Sequence, residues 1–538
     1  MRMPADKPYV WIPVWTCTPL TVLSIFAEDE KIFEFEIGQE GEGEPDFYAA
    51  LPVRSWSGKT LSFEGIFGSG FFNKICSMDD LPDSKEKQPA VHFTAASGWI
   101  NDPNGLFYRN GEWHLYFQHN PFHVDWGNMS WGHAVSTDLL HWVQKEDVMF
   151  PDEDGSIFSG SAVLEGVERM NFPDGAVVFP YTASGGYSAW SRGKSFVQKA
   201  AFSLDGGMTL HKMKQVLLPH LADENRDPKV YPQTDGDGWY MVLYLEKNEY
   251  GIFSSKDFRQ WEMTQKLIFP DAWECPDLFQ VPVEGGGKKW MFWTPDGYYF
   301  LGEFDGKMFR TDYVRHEAYH SMLPYAAQRF VGTERVLTMA WFRTEGKGKT
   351  YTGMMGIPRE LSLVGAGDSM MLCQKLPREW EEKKTCMGES ACDNGKTDGP
   401  VKAEISCQWM SGEGAREAVI EWMPVKTDFV LNLCGAVITL KEDILTVCPV
   451  AGRAKGVAMA AKKNDKEADQ LAEEGVRCIR LPRDIRKMSF LLDAEILELT
   501  GNDGTWISAY EMDQNKTEQT DSISLKGIGV TRAACYHS

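Results

Sequence analysis

The chain has 538 residues, too many for one hydrophobic core, and roughly two to four domains are expected. Its 43% hydrophobic and 12% aromatic content belongs to a folded protein, and 19 Trp, 18 Tyr and 30 Phe suit β-sheets and flat ligands such as sugar rings. Lys and Arg number 55 against 77 Asp and Glu, and the net charge of −22 repels phosphate backbones and anionic lipids; this speaks against nucleic acid and membrane partners but allows a neutral substrate.

The N-terminal MRMPADKPYVWIPVWTCTPL lacks the basic region and unbroken apolar run of a secretory signal. From Val10 to Ala27 the chain is apolar, but Pro13 and Pro19 interrupt it and acidic residues follow. It reads as β-strands of an accessory N-terminal β region over residues 1–88, and no stretch approaches a membrane span. The 11 cysteines are odd in number, scattered and without a CxxC pair, which argues against a disulfide framework and for a reducing, cytoplasmic compartment. The charged, turn-rich LPDSKEKQ (81–88) closes the region.

Residues 89–363 read as one β-rich domain. Short stretches such as WHLYFQ (113–118), WYMVLYL (239–245) and KWMFW (289–293) alternate with Gly, Asp and Asn turns. AVSTDLLHW (134–142), AFSLDGGMT (201–209) and IFSSKDFRQW (252–261) repeat one pattern of strand, Asp-containing turn and next strand. Their Ser136, Ser203 and Ser254 lie 67 and 51 residues apart, periods that suit propeller blades. About 20–24 residues beyond each serine stand FSGSA (158–162), NRDPK (225–229) and WECPDLF (273–279). Equivalent points of successive blades thus carry Ser159, Asp227 and Glu274. In SGWINDPNGLFY (97–108), Asp102 stands at the same point of the blade before. Beyond GIPREL (356–361) a linker is expected over 364–400, then a C-terminal β-sandwich over 401–538 with strands in ITLKEDILTV, KMSFLLDAEILELT and TWISAYEM. The charged KKNDKEADQLAEEG (462–475) reads as a solvated helix or loop.

Carboxylates aimed into one channel repel, and their desolvation raises at least one pKa. Glycoside hydrolysis needs such an arrangement, with one carboxylate to attack the anomeric carbon and one carboxylic acid to protonate the leaving oxygen. Aromatic residues around Asp102 and Glu274 supply an apolar wall and a stacking face. The alternative at this level is a set of acidic turns on a non-catalytic scaffold.

WINDPNG, FSGSA, RDP and ECPDLF, in that order, resemble the signature set of glycoside hydrolase family 32, the invertase, levanase and inulinase group. YFQHNP (116–121), WGNMSWGHAVSTDLLHW (126–142), LGEFDG (301–306) and GMMGIPREL (353–361) are similar to it too. The resemblance runs from His92 to Leu361 and again over 489–503. It implies an all-β fold, a five-bladed β-propeller followed by a β-sandwich, to which this chain adds the N-terminal β domain. It further implies retaining hydrolysis of β-D-fructofuranosides, with Asp102 as nucleophile, Glu274 as acid/base and Asp227 as transition-state stabiliser oriented by Arg226. Asn101, Gln118, Trp126, Phe158 and Ser159 match positions lining the fructose pocket, Trp99 supports the nucleophile loop, and Trp341 is a looser match. The implied partner is a small carbohydrate such as sucrose, a fructo-oligosaccharide, inulin or levan. No cofactor and no metal are implied, and a homo-oligomer is compatible with the sequence.

The chain also departs from the family pattern. HSMLPYAAQRF (320–330) keeps Tyr325, Ala326 and Gln328 but lacks the acidic residues of many relatives, and MAWFRTEGKGKT lacks a second tryptophan; both bear on outer subsites. The N-terminal region admits three uses, as sugar-binding module, subunit interface or brace, and the last two are favoured. Strand alternation turns His114 and His119 to opposite faces, against a metal site with His123. DEDG (152–155) lacks the bidentate Glu of a calcium loop. Asn128-Met129-Ser130 is a coincidental glycosylation triplet, and Cys275 has no patterned base and shapes the pocket. An exo-acting β-fructosidase is therefore expected, with endo-fructanase or fructosyltransferase as alternatives in the enzyme class and a fructan-binding propeller outside it.

Overall fold

The computed structural model describes residues 1–233, 237–346, 348–391, 402–408, 414–422, 427–450, 476–513, 522–528 and 530–538. The segment 462–475 lies outside the described residues. Regular secondary structure among the described residues is almost wholly strand, with two short α-helices and a few 3-10 turns.

The N-terminal β domain is two sheets face to face. One contains Arg2–Pro4, Leu20–Ala27, Glu30–Gly38 and Thr60–Glu64; the other contains Tyr9–Val14, Phe47–Pro52 and Cys76–Met78. Alternation sends Leu23, Ile25 and Ala27 of one strand into the core, where Ile12, Phe35, Leu51 and Phe63 meet them. Phe122 and Phe150 of the next domain complete that core: the Phe35 and Phe122 rings lie 4.2 Å apart and those of Phe33 and Phe150 5.2 Å. The domain is thereby fixed to the β-rich body that follows it.

Five sheets follow in chain order, antiparallel but for one short strand added to the first. Their first strands are Gly98–Arg109, Ser156–Gly160, Arg226–Pro232, Asp277–Pro282 and Pro324–Arg329. The strands behind them are apolar on both faces, because each face meets a different neighbouring sheet. Trp239–Glu246 illustrates it: Trp239, Met241 and Leu243 enter one inter-sheet core, and Tyr240, Val242 and Tyr244 the other.

Side-chain hydrogen bonds join the five first strands in a closed ring. Asn104 Oδ1 accepts from Gly160 N–H (3.1 Å), and Ser161 Oγ donates to Pro228 O (2.9 Å). Tyr231 Oη donates to Asp277 Oδ1 (2.7 Å), and Asp277 Oδ2 accepts from Arg329 N–H (3.3 Å). Gln328 Nε2 then returns to Asn104 Oδ1 (3.4 Å). Tyr351–Thr352 also pairs in parallel beside Gly98–Trp99, closing late chain onto early chain.

The repeated turns have one cause. Ser136, Ser203 and Ser255 each donate a hydroxyl hydrogen bond to the aspartate two residues on: Asp138, Asp205 and Asp257. The third serine of the series is thus Ser255 and not Ser254, since Ser254 and Ser255 are adjacent and only the latter ends the strand facing the turn. A fourth copy exists at Asp305, which accepts from Lys307 and Met308 N–H without a serine before it.

The expected linker over 364–400 is largely structured. Met371–Lys375 pairs with Arg359–Val364 as the outer strand of the fifth sheet, with Leu372, Cys373 and Gln374 buried. Helix Arg378–Lys383 follows, and Thr385–Ala391 already pairs with Val530–His537. The sandwich therefore begins before residue 401. Its two six-stranded sheets enclose Ile420, Phe429, Leu431, Ile438, Phe490 and Leu499.

A buried ion network welds sandwich to catalytic body. His92 Nδ1 lies 2.9 Å from Asp493 Oδ2 and its Nε2 2.8 Å from Glu498 Oε1. Arg359 Nη2 donates to Glu498 as well. Asp493 also accepts from the N–H groups of Ala90, Val91 and His92.

Candidate active site

Each first strand, or the turn before it, carries a backbone irregularity where one side chain is turned toward the ring's centre. Gly98–Arg109 breaks register between Ile100 and Pro103, around Asp102. Ser156–Gly160 breaks it around Ser159, Arg226–Pro232 around Asp227, and Pro324–Arg329 just after Tyr325. Such bulges re-aim a side chain that regular alternation would bury. In the fourth case Glu274 and Cys275 precede the strand, and both have positive φ (27° and 40°), as does Asp227 (65°). Non-glycine residues rarely occupy that region, and three sit within one cluster. Asp-Pro-Asn-Gly in the first strand is likewise constrained. Gly105 has φ 51°, and a Cβ there would stand 2.9 Å from the Tyr116 ring.

Asp102, Asp227 and Glu274 come together. Ser159 Oγ donates to Asp102 Oδ2 (2.6 Å). Cys275 N–H donates to Asp227 Oδ2 (2.9 Å), and its Sγ stands 3.3 Å from Asp102 Oδ2 and 3.4 Å from Asp227 Oδ2. Arg226 Nη2 donates to Glu274 Oε2 (2.8 Å), while its Nε is 3.8 Å from Asp227 Oδ2. The arginine expected to orient Asp227 therefore grips Glu274 more closely. Thr182 Oγ1 accepts from the Asp227 N–H (3.0 Å) and fixes its backbone instead.

Burial pushes the Asp102 carboxyl above its usual value, the charge of Glu274 adds to this, and Ser159, Asn101 and Cys275 oppose it as donors. Asp227 is raised to about 6, first by burial; Arg226 opposes, and the charges of Asp102 and Glu274 reinforce. Burial also pushes up the Cys275 thiol, and the neighbouring carboxylates push it further, so it remains a protonated donor. Asp102 and Asp227 are 9% and 3% exposed, whereas the Glu274 side chain keeps 27%.

The other anticipated residues take distinct places. Trp99 Nε1 donates to Asn101 Oδ1 (2.8 Å). Gln118 is buried, and no protein group bonds its Oε1. Phe158 is buried, and Trp126, 47% exposed, meets it edge-on at 5.9 Å. Trp341 is buried behind the site, its ring 5.8 Å from Trp99 and 6.1 Å from Tyr325. Tyr325 itself was not anticipated as a site residue: its Oη donates to Glu274 Oε1 (2.5 Å) and accepts from Trp273 Nε1 (3.0 Å). The signal was available, because Tyr325 stands 20 residues beyond Asp305, within the 17–22 residues that lead from the earlier Asp turns to Ser159, Asp227 and Glu274. Among the described residues no group of three or more His, Cys, Asp or Glu is arranged to hold a metal ion.

Residues 92–375, more than half of the chain, match the family model described as the glycosyl hydrolases family 32 N-terminal domain. The chain is 32% identical over 334 residues to a levanase of Bacillus subtilis (strain 168), covering 55% of this chain and 48% of the levanase. It thus spans about half the length of that curated relative. In fold it is similar to a fructofuranosidase from Schwanniomyces occidentalis solved with fructose, with TM-score 0.69 and 24% identity over 84% of this chain and 99% of that one. A family 32 glycoside hydrolase structure from Bifidobacterium adolescentis, with TM-score 0.63 and 18% identity, covers 99% of this chain and 98% of its own. At 99% coverage of this chain, that likeness takes in the N-terminal β domain.

Proposed function

The chain belongs to glycosyl hydrolase family 32, and on that premise we propose that it is a retaining, exo-acting β-fructofuranosidase releasing fructose from sucrose or short fructans. The observation that carries this reading is the convergence of Asp102, Asp227 and Glu274 on Cys275 and Arg226 at the centre of the strand ring. Read as blades, the five ring-closed sheets make the five-bladed propeller that holds them.

Exposure divides the roles. Glu274, at the opening, protonates the glycosidic oxygen as the leaving sugar departs outward. Asp102, deeper and steadied by Ser159, attacks the fructosyl anomeric carbon from below and forms an ester. Glu274, now ionised, takes a proton from water, which displaces Asp102 and releases fructose with retention. Asp227 accepts hydrogen bonds from sugar hydroxyls that strengthen as the ring gains positive charge. Arg226 and Tyr325 hold Glu274 in place through both of these proton transfers. Because the nucleophile must be ionised and its pKa is raised, activity should fall on the acid side as Asp102 and Asp227 take up protons.

The test is product analysis over time on sucrose, inulin and levan. Free fructose as the sole early product from inulin supports exo action. A ladder of oligosaccharides in the first minutes would replace it with endo action, and sustained growth of longer products with transfer.

A further inference from the structure

A cleft of about 120 Å³ lies where the N-terminal β domain meets the rim of the catalytic body, and none of the three carboxylates lines it. One wall is the strand Glu30–Gly38, through Glu34, Phe35 and Glu36; the facing wall includes Trp126 and Tyr187. The walls are locked together. Glu36 N–H donates to Asn128 Oδ1 (2.8 Å), and Asn128 Nδ2 donates back to Glu36 O (2.7 Å). Lys31 Nζ stands 5.3 Å from the centre of the Trp190 ring, and His123 Nε2 is 2.9 Å from Thr16 O.

Three observations point to a ligand. First, Trp126 and Tyr187 are 47% and 55% exposed, with ring centres 5.6 Å apart, a large aromatic surface left against water. Second, Glu34 is only 6% exposed; its Oε2 accepts from Lys31 (2.6 Å) and Ser24 (3.3 Å), but its Oε1 has no hydrogen-bond partner. A buried carboxylate oxygen without a donor is costly, and a donor arriving in the cleft, directly or through a water, removes the cost. Third, the cleft adjoins the active site. Trp126 lines it and also meets Phe158, whose neighbour Ser159 bonds Asp102.

An aromatic face opposite a carboxylate suits one ligand chemistry: a neutral sugar, its C–H face on the ring and its hydroxyls toward the acid. Glu34 and Glu36 repel an anionic one. We propose that the N-terminal β domain supplies an outer sugar subsite, in which Glu34 and Tyr187 bind a neutral glycosyl unit of the substrate beyond the one held at Asp102. The proposal rests on the fructosidase reading. It gives the accessory domain a part in chain-length preference, beside its packing on Phe122 and Phe150.

The test compares Tyr187→Ala and Glu34→Ala with the parent on two substrates. Methyl β-D-fructofuranoside has no sugar beyond the fructosyl unit; a β-(2→1)-linked fructo-tetrasaccharide has three. Both variants should raise KM for the tetrasaccharide about threefold to tenfold while kcat/KM for the methyl fructoside moves less than twofold. Equal losses on both substrates, or no loss on the tetrasaccharide, overturn the subsite. Tyr187 is exposed, so its variant stays informative if Glu34→Ala folds poorly. If the parent fails to cleave the methyl fructoside, the fructosidase reading falls on its own. Calorimetric binding of the tetrasaccharide to parent and Tyr187→Ala then decides the subsite, with unchanged affinity overturning it.

Discussion

Two buried charge clusters in this molecule are built from the same residue types and behave oppositely. At the junction of catalytic body and sandwich, Asp493 and Glu498 meet His92 and Arg359, two acids against two bases. At the ring's centre, three carboxylates face one guanidinium. Burial acts to raise Asp493, Glu498, Asp102 and Asp227 alike, but at the junction the partners outweigh it. Asp493 is lowered, Glu498 falls to about 2, and His92 rises to about 9. At the centre burial wins, and Asp102 and Asp227 are raised. Burial is common to both, so charge balance decides which cluster holds the fold and which is left reactive.

The sharpest way to break this comparison is to remove one acid from each cluster. Asp102→Ala or Glu274→Ala should lower kcat on sucrose about 10⁴-fold or more with the melting temperature kept, since each removes an interaction made in the transition state. Turnover within tenfold of the parent would dismiss the assignment. On fructosides with activated leaving groups, Glu274→Ala should recover part of the loss, because such groups need little protonation. Asp493→Ala should do the reverse. Leaving His92 and three N–H groups short of their acceptor should cost about 3–5 kcal/mol in denaturant unfolding, while kcat per folded molecule stays within about threefold. A loss of activity without a loss of stability would show that the junction serves catalysis.

The smallest effect is a difference in pH dependence. Asp227 is raised from its usual 3.8 to about 6, so the folded chain holds its proton more tightly than the unfolded chain, and its contribution to stability declines as pH climbs from about 4 through 6. Asp227→Asn should therefore be more stable than the parent at pH 7, by on the order of 1 kcal/mol, and no more stable below pH 4. His92 has the opposite sign. Raised from 6.5 to about 9, it contributes stability that is complete below 6.5 and lost as pH rises through about 9. The deficit of His92→Gln relative to the parent should shrink over that interval. A pH-independent difference in either pair would mean that the ionisation is not coupled to folding.

How much of this was legible follows from how far apart the partners lie in the chain. Asp102, Asp227 and Glu274 stand in short segments whose turn chemistry and spacing repeat, so the segments betray them. Tyr325 escaped because the fifth strand offers a neutral hydroxyl where the others offer acids or serine. Met371–Lys375 reads as linker because five residues of mixed polarity, next to a glycine-rich bend, become a strand only through their pairing with Arg359–Val364. The junction network left no local pattern, since His92 and Asp493 are 401 residues apart. The cleft beside Trp126 was equally invisible, because nothing between Glu34 and Tyr187 in sequence foretells that their strand and loop face each other.

That junction has a consequence for how the chain is made. His92 leaves the ribosome some 401 residues before Asp493, a wait of about 20–80 s at the usual 5–20 residues per second. Over that interval the lead-in to the first sheet lacks the acids that satisfy it. The N-terminal β domain, by contrast, has nearly all of its own core partners within the first 75 residues, and draws Phe122, Val124 and Phe150 from beyond them. Translation therefore delivers a nascent protein whose first domain can settle early and whose catalytic ring is secured last, when the sandwich emerges. A chain cut short before residue 493 should reach the cell's quality control with its carboxylates assembled and its clasp open.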